Sequence, residues 1–192
     1  PVKSTSRRLL VAVVLSAGFF ALSCRPSTAS QEQTSASSGD STSLRSDTLQ
    51  LVFAGDIMTH GPQIRAAAHA NGDYDFTSSF EAVHPLIAQA DLAVGNLETT
   101  FGGSPYSGYP MFSSPEALAV ALRYSGFDVL TTANNHSCDR RAYGITHTID
   151  VLDSLGIATT GSYRTQEERS KRTPLICSVR GVKLAIFAYT YG

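Results

Sequence analysis

Three short blocks hold most of the side chains able to do chemistry. They are FAGDIMTHG (53–61) with Asp56, AVGNLETT (93–100) with Asn96 and Glu98, and TTANNHSCD (131–139) with Asn134, Asn135, His136 and Asp139. Alone, each has an ordinary reading. Gly-Asp after an apolar run is commonly a turn, Asn-Asn a turn with left-handed residues, and Glu98 a helix cap or a solvated loop acid. Three in succession, each at the end of an apolar run, point to one shared site. Carboxylates, an amide oxygen and an imidazole are donors that Mn²⁺, Mg²⁺, Fe or Zn²⁺ accept. Two such ions about 3.5–4 Å apart lower the pKa of a shared water toward about 7 and clamp a phosphoryl group. An Asn-His pair suits that chemistry. The amide oxygen binds a cation without adding charge, and the adjacent imidazole can donate a proton to a substrate.

For the blocks to meet, the elements before them must end at one rim, as strands of an α/β sheet do. TLQLVFAG (48–55) has Leu49, Leu51 and Phe53 at period two, while DLAVGN (91–96) and FDVLTTA (127–133) read as short apolar strands. Helical patterns alternate with them. In SSFEAVHPLIAQA (78–90), Ser78 and Glu81 are spaced as a capping box, Phe80, Val83 and Ile87 share a face, and Pro85 kinks or restarts the helix. After a Gly- and Pro-rich loop (100–113), Ser114-Pro115-Glu116 supplies an N-cap, a first-turn proline and an acid. Ile145, Ile149, Leu152 and Leu155 recur at helical spacing up to Gly156, and PLICSVRGVKLAIFAY (174–189) reads as two strands around Arg180-Gly181. The alternation predicts an α/β layered fold. Its last strand stands with nothing to cover it, so the expectation is a domain truncated at its C-terminus.

The N-terminal quarter has a different character. Lys3, Arg7 and Arg8 precede the apolar run 9–23 and then Cys24. The run falls short of the roughly 20 residues that span a membrane, so residues 1–23 read as an export signal, with an uncleaved short anchor as the alternative. Cys24 at the junction favours a lipoprotein signal, although Ala21 and Leu22 stand in the reverse of the usual lipobox order. The expectation is an exported protein of the cell envelope, held to the membrane by lipid on Cys24 and facing the periplasm or exterior. Residues 24–47 form the tether: positions 25–47 hold 11 Ser or Thr in 23 residues and a single large apolar side chain, Leu44. Its GDSTSL (39–44) resembles an esterase nucleophile block, but no apolar strand precedes it.

Residues 48–192 are enough for one domain with its own core. Loss of the leader removes three basic residues and no acids, taking the formal charge from −1 to −4. With no basic run, the chain is not expected to bind nucleic acid. Cys138 and Cys177 could pair outside the cytoplasm, but spacing alone does not say so.

From about residue 48 to 192 the chain resembles the N-terminal half of the CapA family, capsule or poly-γ-glutamate synthesis proteins with a calcineurin-like metallophosphatase fold. The blocks that carry the resemblance are GDIM, GNLET and ANNH, in that order and spacing. The resemblance implies Asp56, Glu98 and Asn135 as ligands of one or two divalent metal ions, and His136 as the catalytic group beside the phosphoryl position. Asn134 and Asp139 fit the same block, either as part of it or as residues orienting the loop or His136. Two departures stand out. Met58 occupies the place of a histidine that ordinary metallophosphoesterases carry, and His60 could substitute for it. The histidine blocks that supply further ligands in such folds are absent from residues 1–192. His69, His84 and His147 have no ligand partners at useful spacing, and Tyr106 and Tyr109 either line a groove or pack the loop. The expected function is a metal-dependent phosphoesterase-like protein acting on an anionic polymer or a phosphoester in capsule metabolism. The alternative is a non-catalytic polymer-binding or assembly protein with a degenerate metal site.

Overall fold

The computed structural model describes residues 10–11 and 48–191. Cys24 and the Ser/Thr-rich tether lie outside the described residues. Of residues 1–47, only Leu10–Val11 (β1) is described, paired parallel to the last strand. Among the described residues no helix is long and apolar enough to cross a membrane.

A four-stranded, wholly parallel sheet is the frame. Its strands are β2 (Leu51–Ile57), β3 (Leu92–Leu97), β4 (Val129–Thr131) and β5 (Ala158–Thr160), adjacent in chain order. Parallel neighbours need crossovers. These are α1 (Gly61–Ala67) and α2 (His84–Ala88), then α3 (Ala117–Ser125), then α4 (Arg141–Ser154). Right-handed crossovers that always step the same way put every helix on one face. The main core agrees: Ala93, Leu97 and Leu130 from the sheet meet Ile87, Leu118, Leu122 and Leu152 from the helices. The alternate residues Leu92, Val94 and Val129 point the other way. They pack on Leu184 and Ile186 of a hairpin, β6 (Leu175–Val179) and β7 (Val182–Ile186). With both faces covered, β3 is nearly all apolar, as central parallel strands are.

The mixed α/β architecture anticipated from the alternation is present, and the differences are local. The capping box expected at Ser78 is absent: Thr77–Ser79 is a single 3₁₀ turn, and the helix begins at His84, where Pro85 stands in the first turn and no N–H is missed. Of its expected face, Ile87 is buried and Val83 is exposed. Ser114 does not cap α3; its hydroxyl is buried against Thr59 and Thr99. Arg180 and Gly181 both have positive φ, which a two-residue hairpin with the right twist requires. A fifth helix, α5 (Gln166–Arg172), was not anticipated. Thr165 caps it by accepting the Glu168 N–H, a Thr-x-x-Glu signal present in the sequence.

Candidate functional site

All four strands of the parallel sheet run the same way, so their carboxyl ends share one rim, where ligand sites of α/β sheets form. Asp56 comes from β2, Asn96 and Glu98 from β3, and the Asn134–Asp139 turn from β4. The structure therefore brings the three polar blocks to one edge.

A bulge sets Asp56 in place. Phe53 pairs with Val94 and Asp56 with Asn96, so β2 spends three steps where β3 spends two. The extra residue lies in the Ala54-Gly55 stretch, and the shift brings Asp56 level with Asn96. Asn96 then donates through Nδ2 to Asp56 Oδ1 at 2.8 Å, and its own Oδ1 accepts from Thr131 at 3.1 Å. Asn96 thus orients one carboxylate from the neighbouring strand. The sequence blocks contain it, but its service to Asp56 depends on a register shift that no periodicity displays.

Glu98 follows β3 directly, its N–H donating to Ile57 O at 2.9 Å. Its side chain is 12% exposed. Burial and the adjoining Asp56 carboxylate both push Glu98 above the usual carboxylate range, and His136 opposes them in part. Two acids side by side, with no lysine or arginine among their partners in the described residues, favour a cation between them. That donor set fits a divalent ion, with Asp56 and Glu98 as hard oxygen ligands. Among the described residues no group of three or more His, Cys, Asp or Glu side chains is gathered to hold a metal, so the fit is to part of a coordination sphere. Asn135 is exposed at the crest of the turn and makes no side-chain hydrogen bond among the described residues.

The turn that carries His136 is built by its neighbours. Asn134 Oδ1 accepts the His136 N–H at 3.0 Å, while its Nδ2 donates to Leu97 O at 2.8 Å and to Asn96 Oδ1 at 3.3 Å. One amide therefore folds the turn and fastens it to the end of β3. Ser137 Oγ adds a second tie, donating to Thr132 O at 2.7 Å and accepting the Asn134 N–H at 2.8 Å. His136 is buried. Its Nδ1 lies 2.8 Å from Asp139 Oδ2 and its Nε2 lies 4.0 Å from Glu98 Oε1. An ionised Asp139 is an acceptor only, so it selects the tautomer with the proton on Nδ1 and turns Nε2 toward the rim. The same Asp139 oxygen takes the Phe112 N–H at 2.6 Å, and the Phe112 ring meets the imidazole edge-on at 4.6 Å. The Gly- and Pro-rich loop is thereby fixed against His136.

The remaining candidates fall elsewhere. Met58 is half-buried, and the His60 ring packs edge-on against Phe112 while its backbone N–H donates to Gln63. His84 stacks on Tyr124, and His147 pairs with Glu116 at 3.3 Å and stacks on Tyr143. Tyr106 lines a cavity of about 490 Å³ with Tyr74 and Glu116; its hydroxyl donates to Glu116 at 2.9 Å, and burial with that acid beside it raises its pKa to about 12. Tyr109 is exposed at the rim, its ring centroid 6.4 Å from that of His136. Cys138 and Cys177 are both free thiols. Gly144 is buried inside α4, where a Cβ would meet Arg140 Cβ at 2.5 Å.

Comparison with known proteins adds the following. A family model described as "Bacterial capsule synthesis protein PGA_cap" matches residues 50–192. Over 124 residues the chain is 32% identical to "Uncharacterized protein y4uA" and to "Uncharacterized protein y4sH", both of Sinorhizobium fredii (strain NBRC 101917 / NGR234). Each match covers 60% of this chain and 25% of the relative, so the chain spans about a quarter of the length of these curated relatives.

Proposed function

The chain belongs to the PGA_cap family of bacterial capsule synthesis proteins, and from that premise we propose that it is a metallophosphatase-like, metal-dependent hydrolase of the cell surface. In this reading it is an exported lipoprotein, held by Cys24, that works on an anionic polymer or phosphoester during capsule or poly-γ-glutamate production. The observation that carries the proposal is the paired Asp56 and Glu98 carboxylates at a parallel-sheet rim, beside a histidine already oriented by Asp139.

Asp56 and Glu98 would hold the ion (Mn, Fe, Zn or Mg), with the Asn135 amide as a further oxygen donor. When bound, the ion would supply Lewis acidity to a water and to a phosphoryl oxygen. The chain's own residues do the rest. Asn96 keeps Asp56 aimed at the rim, and Asn134 keeps the turn against β3. Asp139 holds the proton on Nδ1 of His136 and stabilises the imidazolium when Nε2 takes up a second proton. His136 Nε2 is then the acid that delivers that proton to the leaving oxygen. The Phe112 ring covers the imidazole and limits its contact with water.

Hydrolysis assays on the intact protein test this, with Mn²⁺ and with phosphodiester and poly-glutamate substrates offered separately. The expected result is turnover of one substrate class, lost by Asp56→Asn and cut at least about a hundredfold by His136→Ala, the usual scale for one acid–base group. Full activity in Asp56→Asn would refute the reading. A second reading, a polymer-holding assembly protein with a degenerate metal site, is favoured by Met58 in the ligand position. Polymer binding by the wild type without turnover of either substrate would select it.

A further inference from the structure

Next to the acidic rim, past the carboxyl ends of β4 and β5, lies a second cavity of about 420 Å³. Ala133, the residue before Asn134, is part of its wall, so the cavity adjoins the turn that carries His136. Its other walls include Gly161, Tyr163, Arg164, Arg169 and Tyr189, and no aspartate or glutamate lines it. The two arginines differ. Arg164 is matched by Asp150, Asp153 and Glu168 at 2.6, 2.8 and 2.5 Å. Arg169 is exposed and makes no ion pair among the described residues. It is the cation with charge to spare. The wall around it is held in place: the Tyr163 hydroxyl is tied to Thr173 Oγ1 at 2.6 Å, to Thr160 Oγ1 at 3.0 Å and to the Gly161 N–H at 3.3 Å. Gly161 has φ +119°, and a Cβ there would meet Ala133 N at 2.6 Å, so this wall and the rim turn are in direct contact.

A cavity whose described lining holds Arg169 and no carboxylate therefore abuts a rim that is acidic and suited to a cation. We propose that the cavity is an anion subsite in which Arg169 takes a carboxylate or phosphodiester of the substrate, one repeat unit away from the group at the rim. This rests on the rim being the reacting site for an anionic polymer. An arginine whose side-chain donors make no bond among the described residues can bind either oxyanion in a forked contact. Tyr189, which stacks on Phe187, offers the flat wall against which a repeat unit lies.

The test is calorimetric binding to the intact protein in the presence of a chelator, so that no ion at the rim contributes. Three probes are used: a glutamate hexamer, a glycerol-phosphate hexamer and a neutral oligosaccharide of equal length. One anionic probe is expected to bind and the neutral one not, which also distinguishes carboxylate from phosphodiester as the source of the anion. Arg169→Gln is expected to weaken the binding about tenfold, the scale of one hydrogen bond to a charged group. Arg169→Lys should fall between the two. Arg169 is exposed, so melting of the variants as wild type is the expected control. Binding by Arg169→Gln within about twofold of wild type would overturn the proposal. So would equal binding of the neutral probe, or no binding of either anionic probe. If the intact protein takes up no divalent ion while Arg169→Gln loses the hexamer, the subsite stands and the metal reading falls. If the ion binds and Arg169→Gln is unchanged, the subsite alone falls.

Discussion

Asp139 offers the sharpest structural prediction, because one oxygen does two jobs. Its Oδ2 accepts the Phe112 N–H at 2.6 Å and faces His136 Nδ1 at 2.8 Å, with the side chain only 9% exposed. Asp139→Ala removes the one acceptor of both bonds and leaves the Phe112 N–H without its partner. Each hydrogen bond to a charged group contributes about 1.5–3 kcal/mol, so the loss should be about 3–6 kcal/mol. For a domain of this size, at roughly 3 °C per kcal/mol, that is a fall in Tm of about 9–18 °C. Asp139→Asn keeps an oxygen in the same place without the charge, which halves the strength of such bonds. Its loss should be about half as large. Urea and thermal melts of the two variants measure the ordering, and long-range ¹⁵N–¹H NMR of His136 reads the tautomer. The wild type should carry its proton on Nδ1 and Asp139→Ala should show a mixture. If both variants melt within about 1 °C of wild type and the tautomer does not change, Asp139 is not the residue that positions His136.

Three further outcomes follow from the same geometry. Glu98 has a folded-state pKa above its ordinary 4.5, raised by burial and by Asp56. The folded protein therefore carries a cost that is absent below about pH 4.5 and complete once pH has risen past the folded value. Glu98→Gln should accordingly raise Tm at pH 7 in chelator and lose that advantage near pH 4, as melts across that range would show. Glu168 moves the opposite way. Against the cost of burial, the Arg164 N–H and the Arg172 and Arg164 guanidinium groups hold it below the usual range. Its contribution is present above about 4.5 and is lost as pH falls through the lower folded value, so Glu168→Gln should cost about 1 kcal/mol at pH 7 and flatten the acid limb of the stability curve. Gly161→Ala should cost about 2 kcal/mol or more in urea melts, because the new methyl combines a left-handed φ with a 2.6 Å approach to Ala133 N.

Much of the frame was legible because parallel strands write themselves plainly. Buried on both faces, DLAVGN and FDVLTTA are short apolar runs, and each ends in polar residues where the chain leaves the sheet. The hairpin at Arg180-Gly181 was readable for a similar reason, since its turn needs positive φ at both positions. What escaped depends on contacts distant in sequence. Ser114 looks like a cap in its local context, but Thr59 and Thr99 claim its hydroxyl from elements 55 and 15 residues away. Ser78 and Glu81 have capping-box spacing, but Pro85 restarts the chain after them and His84 becomes the true start. In the candidate site the residue types were visible and the wiring was not. Asn96 reaches Asp56 only because β2 carries one extra residue, and the Asp139 contact to His136 also depends on the loop that brings Phe112 to the same oxygen. The cavity beside the rim had no motif at all, because Ala133, Arg169 and Tyr189 converge from three separate parts of the chain.

The most direct measurement is Mn²⁺ titration of the intact protein at pH 7, followed by electron paramagnetic resonance, for wild type, Asp56→Asn and Glu98→Gln. If the paired carboxylates grip a cation, the wild type binds Mn²⁺ and each variant binds at least about tenfold more weakly, the cost of one charged oxygen ligand. Equal affinity in all three proteins would contradict the account.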